Sequence, residues 1–563
     1  MIWDTKSLER RIDAALGKIP FDTVLIKASV LNIFSGTWEK KDIGIIDGMV
    51  VSVDSNLKGK RTFDLSGKWI IPGFIDAHVH IESSLLIPNN FQRVVLSKGT
   101  TSAICDPHEL ANVQGIGGID YFLKESENLS LDLRVMLSSC VPATSMETNG
   151  GGTLGSIDLL PFKNHPRALG LAEVMNVPGV IHKDEEVLSK ILNFVDGPLD
   201  GHCPLLRGSE LSAYAATGIS SCHESSELEE AHEKLQKGIS IWIREGSVAK
   251  DLNQLIPLLN EHTWPFVGFC TDDRNPLDIA KEGHIDYLVR QAIRKGVPAP
   301  LAYRSASWSV ANHYGLNRGW NRMGAIGPGY RADLVILEDA DTCSIHSVFK
   351  SGKLVSELSF EVPNKNSFTN SIKTTLPELT DLNGPSGRVH CIEIQPGKII
   401  TGRSIRLSTD REVARLSVLE RHGHGSKPAN GYVVGFGENF QGAIASSVGH
   451  DSHNLCVVGK DPADMQIALK ALIESGGGFA VVQGKKVIAH LPLPFGGLMS
   501  FEEPAFIEKK LIELREASRS IGCCLAEPFL QLAFLCLPVI PSLKLTDKGL
   551  VDVDKFSIID VRA

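Results

Sequence analysis

Between residues 69 and 275 the chain passes through eight short apolar segments separated by helical or connecting stretches: KWIIPGFIDAHVH, TTSAICD, LRVMLSSC, RALGLAEVM, a brief one at DGHCP, ISSCHE, ISIWIREG and FVGFCTDD. Apolar strands alternating with helices build a parallel sheet, and eight of them are enough to close a (β/α)8 TIM-like barrel, an α/β fold. The way these segments end constrains the chain further. Several run from apolar residues straight into ionisable ones: His78 and His80, Asp106, Glu173, His202, His223 and Glu224, Arg244 and Glu245, Asp272 and Asp273. The C-terminal ends of barrel strands meet at one mouth, so these side chains are expected to line a polar pocket there.

The flanks read differently. After an amphipathic, charged opening helix (MIWDTKSLERRIDAALG), residues 23–70 break into short strands and turns, with a hairpin signal at Asp47-Gly48. Residues 275–320 suggest two closing helices, after which GAIGPGYRADLVILEDADTCSIHSVFKSGKLV returns to short strands that can complete the earlier β-unit. The expected order is the helix and first part of a small β-sandwich domain over 1–70, the barrel over 71–322, the return segment of the β-domain over 323–360, a linker over 361–388 and an additional C-terminal α+β domain over 389–563. The linker reading rests on Pro, Asn, Ser and Thr without periodicity. In the last domain, ADMQIALKALIESGGG predicts a helix closed by glycine.

Composition narrows the ligand. Of 563 residues, 43% are hydrophobic and 22% charged, which fits a core-forming chain and excludes wholesale disorder. A net charge of −9 without a dense basic stripe offers little to nucleic acid and suits a small uncharged or cationic ligand. The 11 Cys are scattered singly through apolar runs, apart from adjacent Cys523 and Cys524, and read as reduced thiols of a cytoplasmic protein. The opening segment lacks the apolar core of a signal peptide, and the longest apolar stretch, 528–543, is too short to span a bilayer, so no membrane association is expected.

The sharpest local signal is Asp76-Ala77-His78-Val79-His80. Two His one residue apart point to the same side of a strand, so both imidazoles can reach one ion. His202, His223 and Asp272 end the fifth, sixth and eighth strands, and Glu173 ends the fourth. Four His and two carboxylates at one barrel mouth form a nitrogen and oxygen donor set suited to Zn, Fe, Mn or Ni and large enough for two ions.

With these motifs in place, the chain closely resembles the adenine deaminase family of the amidohydrolase superfamily. The wider resemblance rests on PGFIDAHVH, the ordered His202, His223 and Asp272, and GAIGPGYRADLVIL. The closer one rests on HIESS, CDPHE, LAEVM, DGHCP, CHES, IREGS, CTDDRNP and SVGHDSHN, which span nearly the whole chain. The resemblance implies a binuclear centre of Mn or Fe in which His78, His80 and Asp272 hold one ion, His202 and His223 the other, and Glu173 bridges them in place of the carbamylated lysine of many relatives. It also implies hydrolysis of adenine to hypoxanthine and ammonia in purine salvage, and a homo-oligomeric assembly of a dimer or more.

For such a reaction Asp272 is expected to carry the proton from water to the departing amino group. A second acid should act on the ring nitrogen beside C6. Glu224 and Glu109 are both candidates, each with the alternative role of orienting His223 or His108. Arg244 with Glu245, and Asp273 with Arg274, are expected as salt-bridged pairs lining the pocket. The loop holding His450, Asp451 and His453 either reaches the mouth, closing it or adding ligands with His108 or Glu109, or is a polar interface loop; His422 and His424 read as exposed or interface residues. Three rivals remain alternatives: another aminopurine or a cyclic amide as substrate, and a barrel retained as a non-catalytic scaffold. The zinc-dependent nucleobase deaminases are excluded, because no P-C-x-x-C accompanies His80-Ile81-Glu82.

Overall fold

Eight parallel strands follow one another around a barrel: β1 (Phe74–Val79), β2 (Thr100–Cys105), β3 (Asp132–Leu137), β4 (Ala168–Val174), β5 (Leu199–Gly201), β6 (Ser221–Cys222), β7 (Ser240–Arg244) and β8 (Val267–Cys270). The ring closes just past β8, where Asp272 N–H donates to the carbonyl of His78 at 3.0 Å and bridges to β1. Both faces of the strands are covered, which is why they read as unbroken apolar runs rather than alternating ones. The computed structural model that shows this describes residues 4–360, 368–369, 371–425 and 427–563. Residues 1–3 of the expected opening helix, and 361–367 and 370 of the expected linker, lie outside the described residues.

Two expectations need correction. The segment KWIIPGFIDAHVH is two strands, Trp69–Pro72 and β1, broken at Gly73, where a Cβ would fall 2.2 Å from Thr101 Oγ1. Only the second belongs to the barrel; Trp69–Pro72 pairs antiparallel with Leu334–Asp339, so the strands that lead into and out of the barrel lie side by side in an eight-stranded sheet. Residues 275–320 hold more than two helices: Pro276–Lys281, Ile285–Arg294 and Ala299–Arg304 run on into the π-helical Ser305–Ser309 and then Val310–His313. Gly283 and Gly296, with φ of 120° and 95°, interrupt what the apolar periodicity alone would have joined.

Local signals elsewhere took the expected form. Asp47 and Gly48, with φ of 51° and 76°, turn the hairpin between Thr37–Ile46 and Met49–Asp54. Helix Pro462–Ser475 starts at Asp461, whose carboxylate accepts from Ala463 N–H, and ends at Gly476 with φ of 76°.

From residue 388 onward a third eight-stranded sheet forms, with the three-stranded Leu543–Ile559 sheet beside it. Its core is continuous with the barrel's: Val79, Leu110, Val135 and Leu171 belong to the same buried apolar cluster as Leu416, Val458, Phe495 and Leu543. Polar ties cross the same boundary, including Asn454 Nδ2–H to the carbonyl of Thr148 at 2.9 Å and Thr546 O–H to that of Met146 at 2.6 Å. The third unit is therefore fixed over the barrel mouth, not tethered beside it.

Candidate metal centre

The mouth gathers its polar side chains around one carboxylate. Glu173, at the end of β4, has Oε1 3.3 Å from His80 Nε2 and 3.7 Å from His78 Nε2, and Oε2 2.6 Å from His202 Nδ1 and 3.2 Å from His223 Nε2. Asp272 Oδ1 lies 3.2 Å from His80 Nε2 and 3.6 Å from His78 Nε2. The pleat supplies the geometry: His78 and His80 lie two apart on β1 and its extension, and their Nε2 atoms come within 3.0 Å of each other. All six expected ligands are thus brought together and are buried.

The donor set fits divalent ions. Two ligands bound at about 2.1 Å with a tetrahedral angle between them lie roughly 3.4 Å apart, which is close to most of these separations. The tautomers agree. His80 Nδ1 lies 3.0 Å from the carbonyl of Asp106, which holds its proton and makes Nε2 the atom that would face an ion, while, against burial, Asp272 and Glu173 raise this imidazole well above its ordinary value. His202 Nε2 is buried without a hydrogen-bond partner. Burial resists charge on Glu173, yet His202 and His223 hold its carboxyl well below the usual range. Burial, joined by His223, keeps His78 neutral, the form a metal ligand needs.

Arg244, at the end of β7, corrects one expectation. It pairs with Glu224 at close range, with Asp272 Oδ2 at 3.0 Å and with Asp251 at 2.9 Å, and not with Glu245. Neighbours along a strand point to opposite faces, so Arg244 enters the mouth while Glu245 turns away and accepts from Leu252 N–H at 3.2 Å. Asp273 and Arg274 part in the same way: Asp273 accepts from Ser83 O–H at 2.5 Å, and Arg274 reaches Glu282 at 2.6 Å and the carbonyls of Gly283 and Glu245.

The loop 449–454 reaches the mouth. His450 Nδ1 lies 2.8 Å from Glu109 Oε1, His453 Nε2 2.6 Å from Glu109 Oε2, and Asp451 Oδ1 3.8 Å from His108 Nε2. Glu224 stands 3.8 Å from His223 Nε2, and Glu109 the same distance from His108 Nε2. His422, expected as an exposed or interface residue, is half-buried and bonds the Ser452 carbonyl at 3.1 Å, bracing this loop from behind; the His424 side chain is 59% exposed.

A cavity of about 30 Å³ remains between these groups, lined also by Ile399, Phe534, Leu537 and Ile540. Those four come from the third unit, and as apolar residues in apolar runs they give no signal in the sequence. Asp106, whose Oδ2 accepts from His108 Nδ1–H at 2.9 Å, was marked only by its place at a strand end.

Comparison with known proteins gives a consistent picture. The amidohydrolase family model matches residues 69–355, and the adenine deaminase C-terminal domain model matches 395–557. Curated relatives include adenine deaminase 1 of Rhizobium etli, 45% identical over 99% of this chain and 100% of its own length, and the adenine deaminase of Brucella suis biovar 1, 47% identical over 98% and 96%. That of Sinorhizobium fredii is 46% identical over 99% and 100%.

Proposed function

The chain belongs to the adenine deaminases of the amidohydrolase family, and from that premise we propose that its barrel mouth hydrolyses adenine to hypoxanthine and ammonia. The observation that supports this most directly is the convergence of His78, His80, His202 and His223 on the two oxygens of Glu173, with His108 beside them and Asp272 against the first pair. His78, His80 and Asp272 would hold one divalent ion and His202 and His223 a second, with Glu173 shared; nitrogen and oxygen donors suit Mn or Fe. Bound there, such ions supply Lewis acidity and a water that ionises near neutral pH.

The chain's own groups then move the protons. Burial opposes the charge on Asp272, but His80 and Arg244 keep its carboxyl well below the usual range, so it meets the water as a base. It takes one proton from the water as the C6–O bond forms and returns it to the exocyclic nitrogen as the C6–N bond breaks, so that ammonia leaves instead of amide ion. The oxygen's second proton passes through the other carboxyl to the ring nitrogen and leaves C6 as a carbonyl. Glu224 is the better placed of the two candidates for the ring nitrogen beside C6, since both oxygens of Glu109 face histidines of the third unit. Arg244 joins Glu224 and Asp272, and so fixes the spacing between the two proton-handling carboxyls. The cavity holds about one water, so a purine enters only as the surrounding side chains shift.

Ammonia release from adenine, adenosine, guanine and cytosine by Mn-loaded protein tests the reading. Release from adenine alone supports it; release from another base, or from none, overturns it. A cytoplasmic setting is supported by eleven free cysteines, ten of them buried, and a place in purine salvage by the chemistry of the product. A homo-oligomer is the expected assembly, checked by sedimentation of the full chain.

A further inference from the structure

We propose that one more divalent cation, separate from those of the barrel centre, is held where the third unit meets the mouth, by His108 Nε2 and Glu109 Oε1 from the barrel and His450 Nδ1 and Asp451 Oδ1 from the loop. The four atoms come from two parts of the chain more than three hundred residues apart, yet their measured separations are 2.8 Å for His450 to Glu109, 3.6 Å for His450 to Asp451 and 3.8 Å for His108 to each carboxylate. These four separations lie on both sides of the roughly 3.4 Å edge of a tetrahedral site, and the ligand atoms of His108, Glu109 and Asp451 all fall within 4.8 Å of one another.

Hydrogen bonding alone does not account for the cluster. His450 Nδ1 is near enough to Glu109 Oε1 for a hydrogen bond, but that oxygen, fully buried, accepts none. His450 Nε2 and Asp451 Oδ2 are likewise buried without a hydrogen-bond partner. Polar groups left so in an interior cost about 1–3 kcal/mol each, and a shared cation removes the cost for several at once.

The surroundings orient the donors as they would metal ligands. Asp106 accepts from His108 Nδ1–H at 2.9 Å, with Glu173 Oε1 3.3 Å from the same nitrogen, so Nε2 is the atom of this ring turned toward the loop. His453 Nε2 lies 2.6 Å from the far oxygen of Glu109 and turns the near one toward His450. Phe534 stacks on the His450 ring at 4.5 Å. Two imidazoles and two carboxylates suit Zn, Mn or Fe. Since residues 450 and 451 lie on the loop and 108 and 109 on the barrel, the ion would pin the third unit over the mouth.

The test is metal content of the full chain, stripped with chelator and reloaded with Mn²⁺, for wild type, Asp451→Asn, His450→Gln and Glu173→Gln, with thermal unfolding of each. Three ions per wild-type chain, two in Asp451→Asn and in His450→Gln with a lowered Tm, and one retained in Glu173→Gln support the proposal. Two ions in wild type with no change in either loop variant overturn it. A single ion in wild type that disappears in Asp451→Asn would keep this site and refute the barrel centre instead. Should one loop variant fail to fold, the other and the wild-type count still decide.

Discussion

The two ends of the barrel both bury charge, but they do so in opposite ways. At the floor, Asp132 at the start of β3 is ringed by cations: Arg134 at 2.6 Å, Arg167 at 3.1 Å and Arg331 in close contact, while Asp333 takes Arg331 at 2.5 Å and Lys350 at 2.8 Å. Each carboxylate there has a permanent positive partner. At the mouth, Glu173 faces five imidazoles, Arg244 is shared by three carboxylates, and several buried ligand-type atoms have no hydrogen-bond partner. A buried cluster that balances its own charge holds structure, whereas one that leaves ligand atoms converging on a point is built for something added.

If that contrast holds, substitutions at the two ends should separate activity from stability. The largest effect is expected for Asp272→Asn, which removes the proton carrier: kcat should fall about 10²–10⁴-fold with the unfolding transition preserved. Near-normal turnover would take Asp272 out of the chemistry. At the floor, Arg331→Leu takes one cation from each of two buried carboxylates, which keep Arg134, Arg167 and Lys350, and should cost about 3 kcal/mol in denaturant unfolding, with kcat unchanged in the folded fraction. A large drop in kcat there would erase the distinction.

The floor should also carry a pH signature. Burial opposes the Asp132 charge, but Arg331 and Arg134 outweigh it and hold the carboxyl well below its ordinary 3.8. A depressed carboxyl contributes its full stability above that ordinary value and loses it as pH falls toward the folded-state value. Asp132→Asn should therefore be less stable than wild type at neutral pH, with the gap narrowing below about pH 4. A constant gap through the acid range would assign its role to packing. The smallest effect is expected for His422→Ala, which removes one bond to the Ser452 carbonyl and should cost about 1 kcal/mol with a modest loss of kcat.

The mouth was the more legible end in sequence, for a physical reason. Strand periodicity of two places His78 and His80 together, and barrel topology places Glu173, His202, His223 and Asp272 at the same end, so spacing and order alone pointed to the ligand set. The partnerships of Arg244 were not legible: Asp251 and Asp272 reach it from other parts of the barrel, while adjacency suggested Glu245. The string Gly449 to Asn454 announced a polar loop but not its destination, which is set by the core that the third unit shares with the barrel. Phe534, Leu537 and Ile540 lay in an apolar run with nothing to mark them as the roof of a pocket. The floor was silent too, because Asp132, Arg331 and Asp333 meet only once the strand after the barrel returns beside Trp69–Pro72.

The central claim is that the mouth works through metal held around Glu173. It is tested most directly by hypoxanthine formation from adenine, measured on one preparation as isolated, after stripping with chelator and after reloading with Mn²⁺. Turnover should disappear on stripping and return on reloading. Turnover that survives complete removal of divalent metal would contradict it.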